Sequence, residues 1–207
     1  MPQRKRKPPS TQLPANPSEV RIIGGKWRRR KLVYHGDPVT RPMKDRVREA
    51  VFNLIGPSVV GTHALDLFAG TGALGLEALS RGAVRATFLE RHFPSARAIQ
   101  DNIRALEAND MAEVLPGDTF LWVRRLTAAR DFDDSHPWTV FCSPPWDYYV
   151  DRKADLLEII EKILAITPPE SVIAVESDDR FDPAELPNHE QWNVRPYPPA
   201  VIALRRT

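Results

Sequence analysis

The hydrophobic positions of this chain follow two different periods. From residue 63 onward, short apolar runs alternate with stretches whose apolar residues recur three or four apart. The runs read as strands at 63–68 (HALDLF), 86–90 (ATFLE), 112–115 (AEVL), 138–142 (WTVFC) and 171–177 (SVIAVES). The stretches between them read as helices at 73–80, 95–108, 119–130 and 151–166. Arg81-Gly82 and Pro168-Pro169 stop the first and last of these helices. Two final strands, 191–195 and 200–205, have no helix between them, which predicts an antiparallel edge pair. Strand and helix in alternation predict an α/β fold: a mostly parallel, seven-stranded sheet with right-handed crossovers and helices on both faces.

Upstream the pattern is different. Apolar runs at 20–23 and 30–34 flank Gly24-Gly25 and read as a β-hairpin. Pro42 precedes a helix over 43–55, where Val47, Ala50, Val51, Leu54 and Ile55 share one face, and Gly56-Pro57 ends it. Residues 1–19 hold five prolines and the cluster Arg4-Lys5-Arg6-Lys7, the composition of a tail. The expected organisation is a basic, proline-rich tail at 1–18, a hairpin-and-helix extension at 19–57, and the main domain at 58–207.

Charge adds one feature. The net charge is +2, but residues 1–50 hold 14 Lys and Arg against 4 Asp and Glu, and the remainder is acidic. A basic arm on an acidic body points to a polyanionic partner met through the N-terminal segment. Within it Lys26, Arg28, Arg29 and Arg30 surround Trp27, which suits phosphate contact plus stacking on a base. No apolar run approaches a membrane span, and no apolar core follows the basic start as in a secretory signal. A cytosolic monomer is expected. Cys142 is the only cysteine, so no intrachain disulfide forms, and at the end of an apolar run it reads as a small core residue. The five histidines show no metal-ligand spacing, so no metal is expected.

The chemistry gathers where strands end. Asp66-Leu67-Phe68-Ala69-Gly70-Thr71-Gly72 leaves a strand and opens a helix. Gly70 to Gly75 spells the G-x-G-x-x-G fingerprint of dinucleotide enzymes, and Glu90 ends the next strand, placed to accept from ribose hydroxyls. A nicotinamide dehydrogenase is therefore one reading. Three features favour S-adenosylmethionine. Asp66 would repel a pyrophosphate but attract an ammonium. Asp118, after the third strand, is placed to accept from an adenine amino group. Too few residues follow Cys142 for a separate substrate domain.

Ser143-Pro144-Pro145-Trp146 follows the fourth strand and so faces the same crevice. The lone pair of a base amino group is delocalised into its ring. Making it a nucleophile needs acceptors that pull on its N–H bonds. The Ser143 hydroxyl and the Pro144 carbonyl can supply them, Pro145 stiffens the loop, and Trp146 can stack on an unpaired base.

With these residues in view, the chain resembles the RsmD family of 16S rRNA guanine-N2 methyltransferases from about Arg21 to the C-terminus. The resemblance is carried by residues 21–28 (RIIGGKWR), Arg41-Pro42, 45–53 (DRVREAVFN) and 66–83 (DLFAGTGALGLEALSRGA), with Phe88-Leu89-Glu90, Asn102 and Gly117-Asp118. It implies a class I, Rossmann-like methyltransferase sheet. It implies S-adenosylmethionine held by Asp66, Phe68, Ala69, Gly70, Thr71, Gly72, Glu90, Arg91, Asp118, Thr119 and Arg41, and no metal. It implies a guanine held at 143–146, a helix over 41–53 that closes on the methionine end of the cofactor, and small-subunit 16S rRNA or its assembly intermediate as partner in a bacterial cytoplasm. Two departures stand out: the family usually has Asp and then Phe or Tyr where this chain has Ser143 and Trp146, and an Arg-Tyr-Gly run where this chain has Arg195-Pro196-Tyr197-Pro198-Pro199. Ser143 keeps two alternatives open, an amino-methyltransferase acting on adenine N6 or cytosine N4, and a non-catalytic RNA-binding assembly factor.

Overall fold

The fold follows from how alternate residues of each strand are shared between two cores. The computed structural model describes residues 20–34, 42–126 and 135–207. The expected tail at 1–18, Arg41, and the end of the helix expected over 119–130 lie outside them. Strands β3 (His63–Asp66), β4 (Arg85–Glu90), β5 (Ala112–Pro116), β6 (Trp138–Cys142) and β7 (Val172–Asp178) pair in parallel, and β8 (Asn193–Tyr197) and β9 (Ala200–Arg206) are antiparallel. The seven-strand order is β5-β4-β3-β6-β7-β9-β8. The last two strands are antiparallel as expected, but β9 enters between β7 and β8, so of these two only β8 is an edge.

Side chains on a strand alternate between faces. Ala64, Phe88, Phe141 and Ala174 enter one core with α1 (Asp45–Ile55), α2 (Ala73–Ser80) and α3 (Phe93–Ala105). Leu65, Leu89, Val140, Cys142, Ile173 and Val175 enter the other, with α4 (Thr119–Arg125) and α6 (Lys153–Ile166). A parallel sheet covered on both faces explains why its strands read as continuous apolar runs. Cys142 is buried, and burial with the nearby Asp66 charge pushes its thiol up to about 12, so it is a core residue. The helix expected at 151–166 is α6, and a short helix that was not expected, α5 (Tyr148–Asp151), precedes it and is separated from it at Arg152.

The N-terminal hairpin is shorter than expected. Strands β1 (Val20–Arg21) and β2 (Lys31–Leu32) have two residues each. The intervening backbone bonds to α2 instead. Glu77, wholly buried in the mostly apolar α2, accepts the amides of Ile23 at 2.7 Å and Gly24 at 2.6 Å. Ser80 Oγ accepts the Trp27 amide and donates to the Gly24 carbonyl, and the Ser80 carbonyl accepts the Lys26 amide. Gly25 is required here, because its φ is +73° and an added Cβ would lie 1.8 Å from the Ser80 carbonyl oxygen. Arg48 is buried over the same carboxylate. Its Nη2 donates to Asp45 and to the Arg21 carbonyl, and its Nε lies 3.9 Å from Glu77. Val20, Ile22, Val47, Val51 and Ile55 share one apolar cluster with α2 and the sheet, so the extension is part of the main core.

No helix among the described residues is long and apolar enough to cross a membrane.

Candidate active site

Parallel strands end on one side of the sheet, and the loops that follow β3, β4, β5, β6 and β7 meet there around a cavity of about 350 Å³. That size suits a nucleoside-sized ligand. Its walls include Phe68, Ala69, Gly70 and Thr71 after β3, Glu90, Arg91 and His92 at the end of β4, and Asp118, Thr119 and Phe120 after β5. Ser143, Pro144, Pro145 and Trp146 after β6, with Glu176 on β7, form the rest of the floor and mouth. Pro42, Met43, Lys44 and Val47, around the start of α1, close one side.

The glycine loop is held from below and from the side. Gly70 has φ +52° and donates its amide to Glu90 Oε2 at 2.7 Å, while Glu90 Oε1 accepts the His92 amide at 2.7 Å. Each carboxylate oxygen keeps a lone pair for a ligand hydroxyl. Gly72 has φ +73° and packs against Ile99, where a Cβ would meet the isoleucine at 3.0 Å, so it shapes the loop without lining the cavity. Asp66 is not part of the wall either. Its Oδ2 accepts the Gly75 amide at 3.1 Å under the loop, and its buried Oδ1 has no hydrogen-bond partner among the described residues. Burial raises its carboxyl to about 7, with the Glu90 charge adding and the Gly75 amide opposing.

On the far side Asp118 caps α4 through the Leu121 amide at 3.1 Å, and its Oδ2 lies 3.9 Å from Arg152. Thr119 donates to the Leu67 carbonyl. Phe68, Phe120 and Tyr148 form an aromatic wall with ring centres 5.7–6.2 Å apart, and the Arg152 guanidinium covers Phe120 at 3.7 Å. Flat apolar rings beside acceptors at Asp118 and Glu90 match the faces, amino group and hydroxyls of an adenosine.

In the Ser-Pro-Pro-Trp segment, the carbonyls of Pro145 and Trp146 accept the amides of Tyr148 and Tyr149 as α5 begins. The Pro144 carbonyl accepts no hydrogen bond from a described residue. Trp146 is half-buried against the core and borders the cavity. Ser143 Oγ donates to Glu176 Oε2. Sequence reasoning missed Glu176, Tyr148 and Arg152. Glu176 carried a readable signal, a charge near the end of a buried strand, as at Asp66 and Glu90.

Of the residues expected to meet RNA, Arg28, Arg29 and Arg30 are exposed, though Arg30 also donates to the Ala105 carbonyl at 2.8 Å. Trp27 is half-buried, with the Lys26 ammonium 4.2 Å from its ring centre. These residues stand on the docked turn and do not border the cavity. Among the described residues no group of three His, Cys, Asp or Glu side chains could hold a metal ion.

The sheet order is that of a class I, S-adenosylmethionine-dependent methyltransferase, and its cleft is bordered by the glycine loop, the Glu90 and Asp118 carboxylates and the Ser-Pro-Pro-Trp segment. The chain belongs to the family described as conserved hypothetical protein 95, the RsmD family, whose model matches residues 20–203. It is 35% identical over 184 residues to ribosomal RNA small subunit methyltransferase D of Haemophilus influenzae, covering 88% of this chain and 90% of that protein. With the Escherichia coli protein of the same name it shares 48% identity over 92 residues, 44% of this chain and 46% of that protein. Among solved structures, the putative methyltransferase yhhF from Escherichia coli matches with a TM-score of 0.72 and 33% identity over 91% of this chain and 99% of that one. An RNA methyltransferase from Salinibacter ruber in complex with S-adenosyl-L-homocysteine shares the fold, with a TM-score of 0.55 at 16% identity, covering 80% of this chain and 92% of that one.

Proposed function

We propose that this protein methylates the exocyclic N2 amino group of a guanine in 16S ribosomal RNA, within the small subunit or its assembly intermediate, using S-adenosylmethionine. The observation that carries this reading is the shared cavity: Gly70, Glu90 and Asp118 border the same space as Ser143, Pro144 and Trp146. The family membership and the rRNA methyltransferase names of the relatives supply the substrate class.

S-adenosylmethionine, when bound, supplies a methyl group on a cationic sulfur that departs as a neutral thioether. Glu90 accepts from the ribose hydroxyls, and Asp118 accepts from the adenine amino group beside Phe68 and Phe120. Ala69, Thr71, Arg91 and Thr119 complete that half of the cavity, with Asp66 and Gly72 supporting the loop from behind. At the other end Trp146 stacks on the guanine, and the Ser143 hydroxyl and Pro144 carbonyl accept from its amino group. Withdrawing those protons favours a pyramidal nitrogen with its lone pair aimed at the methyl carbon. Lys26, Arg28, Arg29 and Arg30 bind phosphates of the surrounding RNA, which makes affinity fall steeply with salt.

Mass spectrometric mapping of modified nucleosides in ribosomal RNA from cells with and without the gene tests the reading. One 2-methylguanosine in small-subunit RNA should vanish without the gene. Loss of a methylated adenine or cytosine instead would establish the alternative that a neutral Ser143 hydroxyl suggests.

A further inference from the structure

We infer that Glu176 is a positioning residue for Ser143, making the two a coupled acceptor for the target amino group; this rests on the methyltransferase reading above. A serine hydroxyl is a neutral, freely rotating group and a weak acceptor on its own. The structure fixes this one. Cys142 of β6 and Val175 of β7 are register partners and both point into the core below. Ser143 and Glu176 are the next pair along, and both border the cavity. Ser143 Oγ donates to Glu176 Oε2, so the lone pairs of Oγ are left for a ligand.

Glu176 is held in turn from two sides. It lies in register with Ile202 of β9, and its backbone carbonyl accepts the buried Tyr149 hydroxyl at 2.8 Å. Its position is therefore set by the sheet and not by a loop, the arrangement that gives a site its precision. A carboxylate accepting from a hydroxyl increases the negative charge on that oxygen, and the effect is larger where water is excluded. Glu176 is 9% exposed.

The pair also gives the reaction a route for its proton. As the N–C bond forms, the bond from the methyl carbon to sulfur breaks and its electrons stay on sulfur. The nitrogen becomes cationic and passes a proton to Ser143 Oγ. Ser143 passes its own proton to Glu176 Oε2, and the resulting carboxylic acid releases it to water. One proton leaves per methyl transferred, and charge balances.

The test compares Glu176→Gln, Ser143→Ala and the double variant on small-subunit particles from cells lacking the gene. Cofactor affinity is followed by calorimetry. Glu176→Gln should lower kcat about 100-fold, with KM for the particles and cofactor affinity within about twofold of native. The double variant should be no slower than Ser143→Ala alone, because Glu176 acts through the serine. Glu176→Asp keeps the charge and should lose less than Glu176→Gln, although glutamine matches the length better.

An unchanged kcat in Glu176→Gln, losses that multiply in the double variant, or a parallel fall in cofactor affinity would each overturn the pair. So would glutamine outperforming aspartate. The identity of the methylated nucleoside judges the guanine reading separately: methyl on another base defeats that reading, while the rate ratios still judge the pair. No transfer by the native protein would overturn both.

Discussion

The carboxylate of Glu90 accepts the amide of Gly70 at 2.7 Å, tying the end of β4 to the tightest point of the loop that follows β3. The same side chain shapes the loop and borders the cavity, so its removal should act first on cofactor binding. Glu90→Ala is expected to weaken S-adenosylmethionine binding roughly 10- to 100-fold, the range for losing hydrogen bonds to a charged acceptor. Turnover at saturating cofactor should fall less. Calorimetry gives the answer, and undiminished affinity would remove Glu90 from the cofactor site.

Trp146→Ala should do the opposite. Its ring borders the cavity beside Ser143, away from Glu90 and Asp118 in the chain, and a stacked base is worth about 1–3 kcal/mol. Single-turnover methylation at subsaturating RNA should drop about 10- to 100-fold while cofactor affinity holds. Equal losses in both quantities would argue against stacking.

Asp66 gives the protein an acid-side stability advantage. Burial raises its folded carboxyl to about 7, above the ordinary 3.8, so the native state holds a proton that the unfolded chain releases. Stability from this group is fully present below about pH 4, falls as pH rises toward about 7, and is flat above. The whole effect is at most roughly 4 kcal/mol. Asp66→Asn mimics the protonated form, so melting temperatures measured from pH 5 to 8 should decline less than in the native protein. An identical decline in both would assign the pH dependence elsewhere.

Gly25→Ala tests the docking of the N-terminal turn. The new methyl would meet the Ser80 carbonyl at 1.8 Å, in a backbone conformation that L residues seldom adopt. Urea denaturation should reveal a loss of at least about 2 kcal/mol. Gly61→Ala is the control: its φ is +77°, but nothing lies within 4 Å of an added Cβ, so it should carry only the conformational cost. Equal losses at the two positions would remove the clash as the cause.

Local pattern was legible and long-range partnership was not. The helix at 73–80 was located to the residue because eight consecutive positions are buried between a glycine loop and Arg81-Gly82. The cleft itself was legible because parallel topology brings the loops after β3, β4, β5 and β6 to one side. Alternating residues at 20–23 and 30–34 suggested longer strands, but Glu77 and Asn102, more than fifty positions away, capture the amides of Ile23 and Val33 that those strands would have used. The short α5 went unread because four residues, of which only Tyr149 is buried, are too few to show a helical period. The role expected of Asp66 rested on its place before the loop, whereas its side chain turns under the loop toward Gly75.

Arg206 donates to Ser58 Oγ and to the carbonyls of Leu54 and Ile55, at the C-terminal end of the helix whose other end walls the cavity. These partners are made about 150 residues before the arginine. Synthesis runs from N- to C-terminus, so α1 waits for about 150 further residues before β9 slots in beside β7 and clasps it. A nascent chain that stops short of β9 therefore holds the wall helix without its clasp.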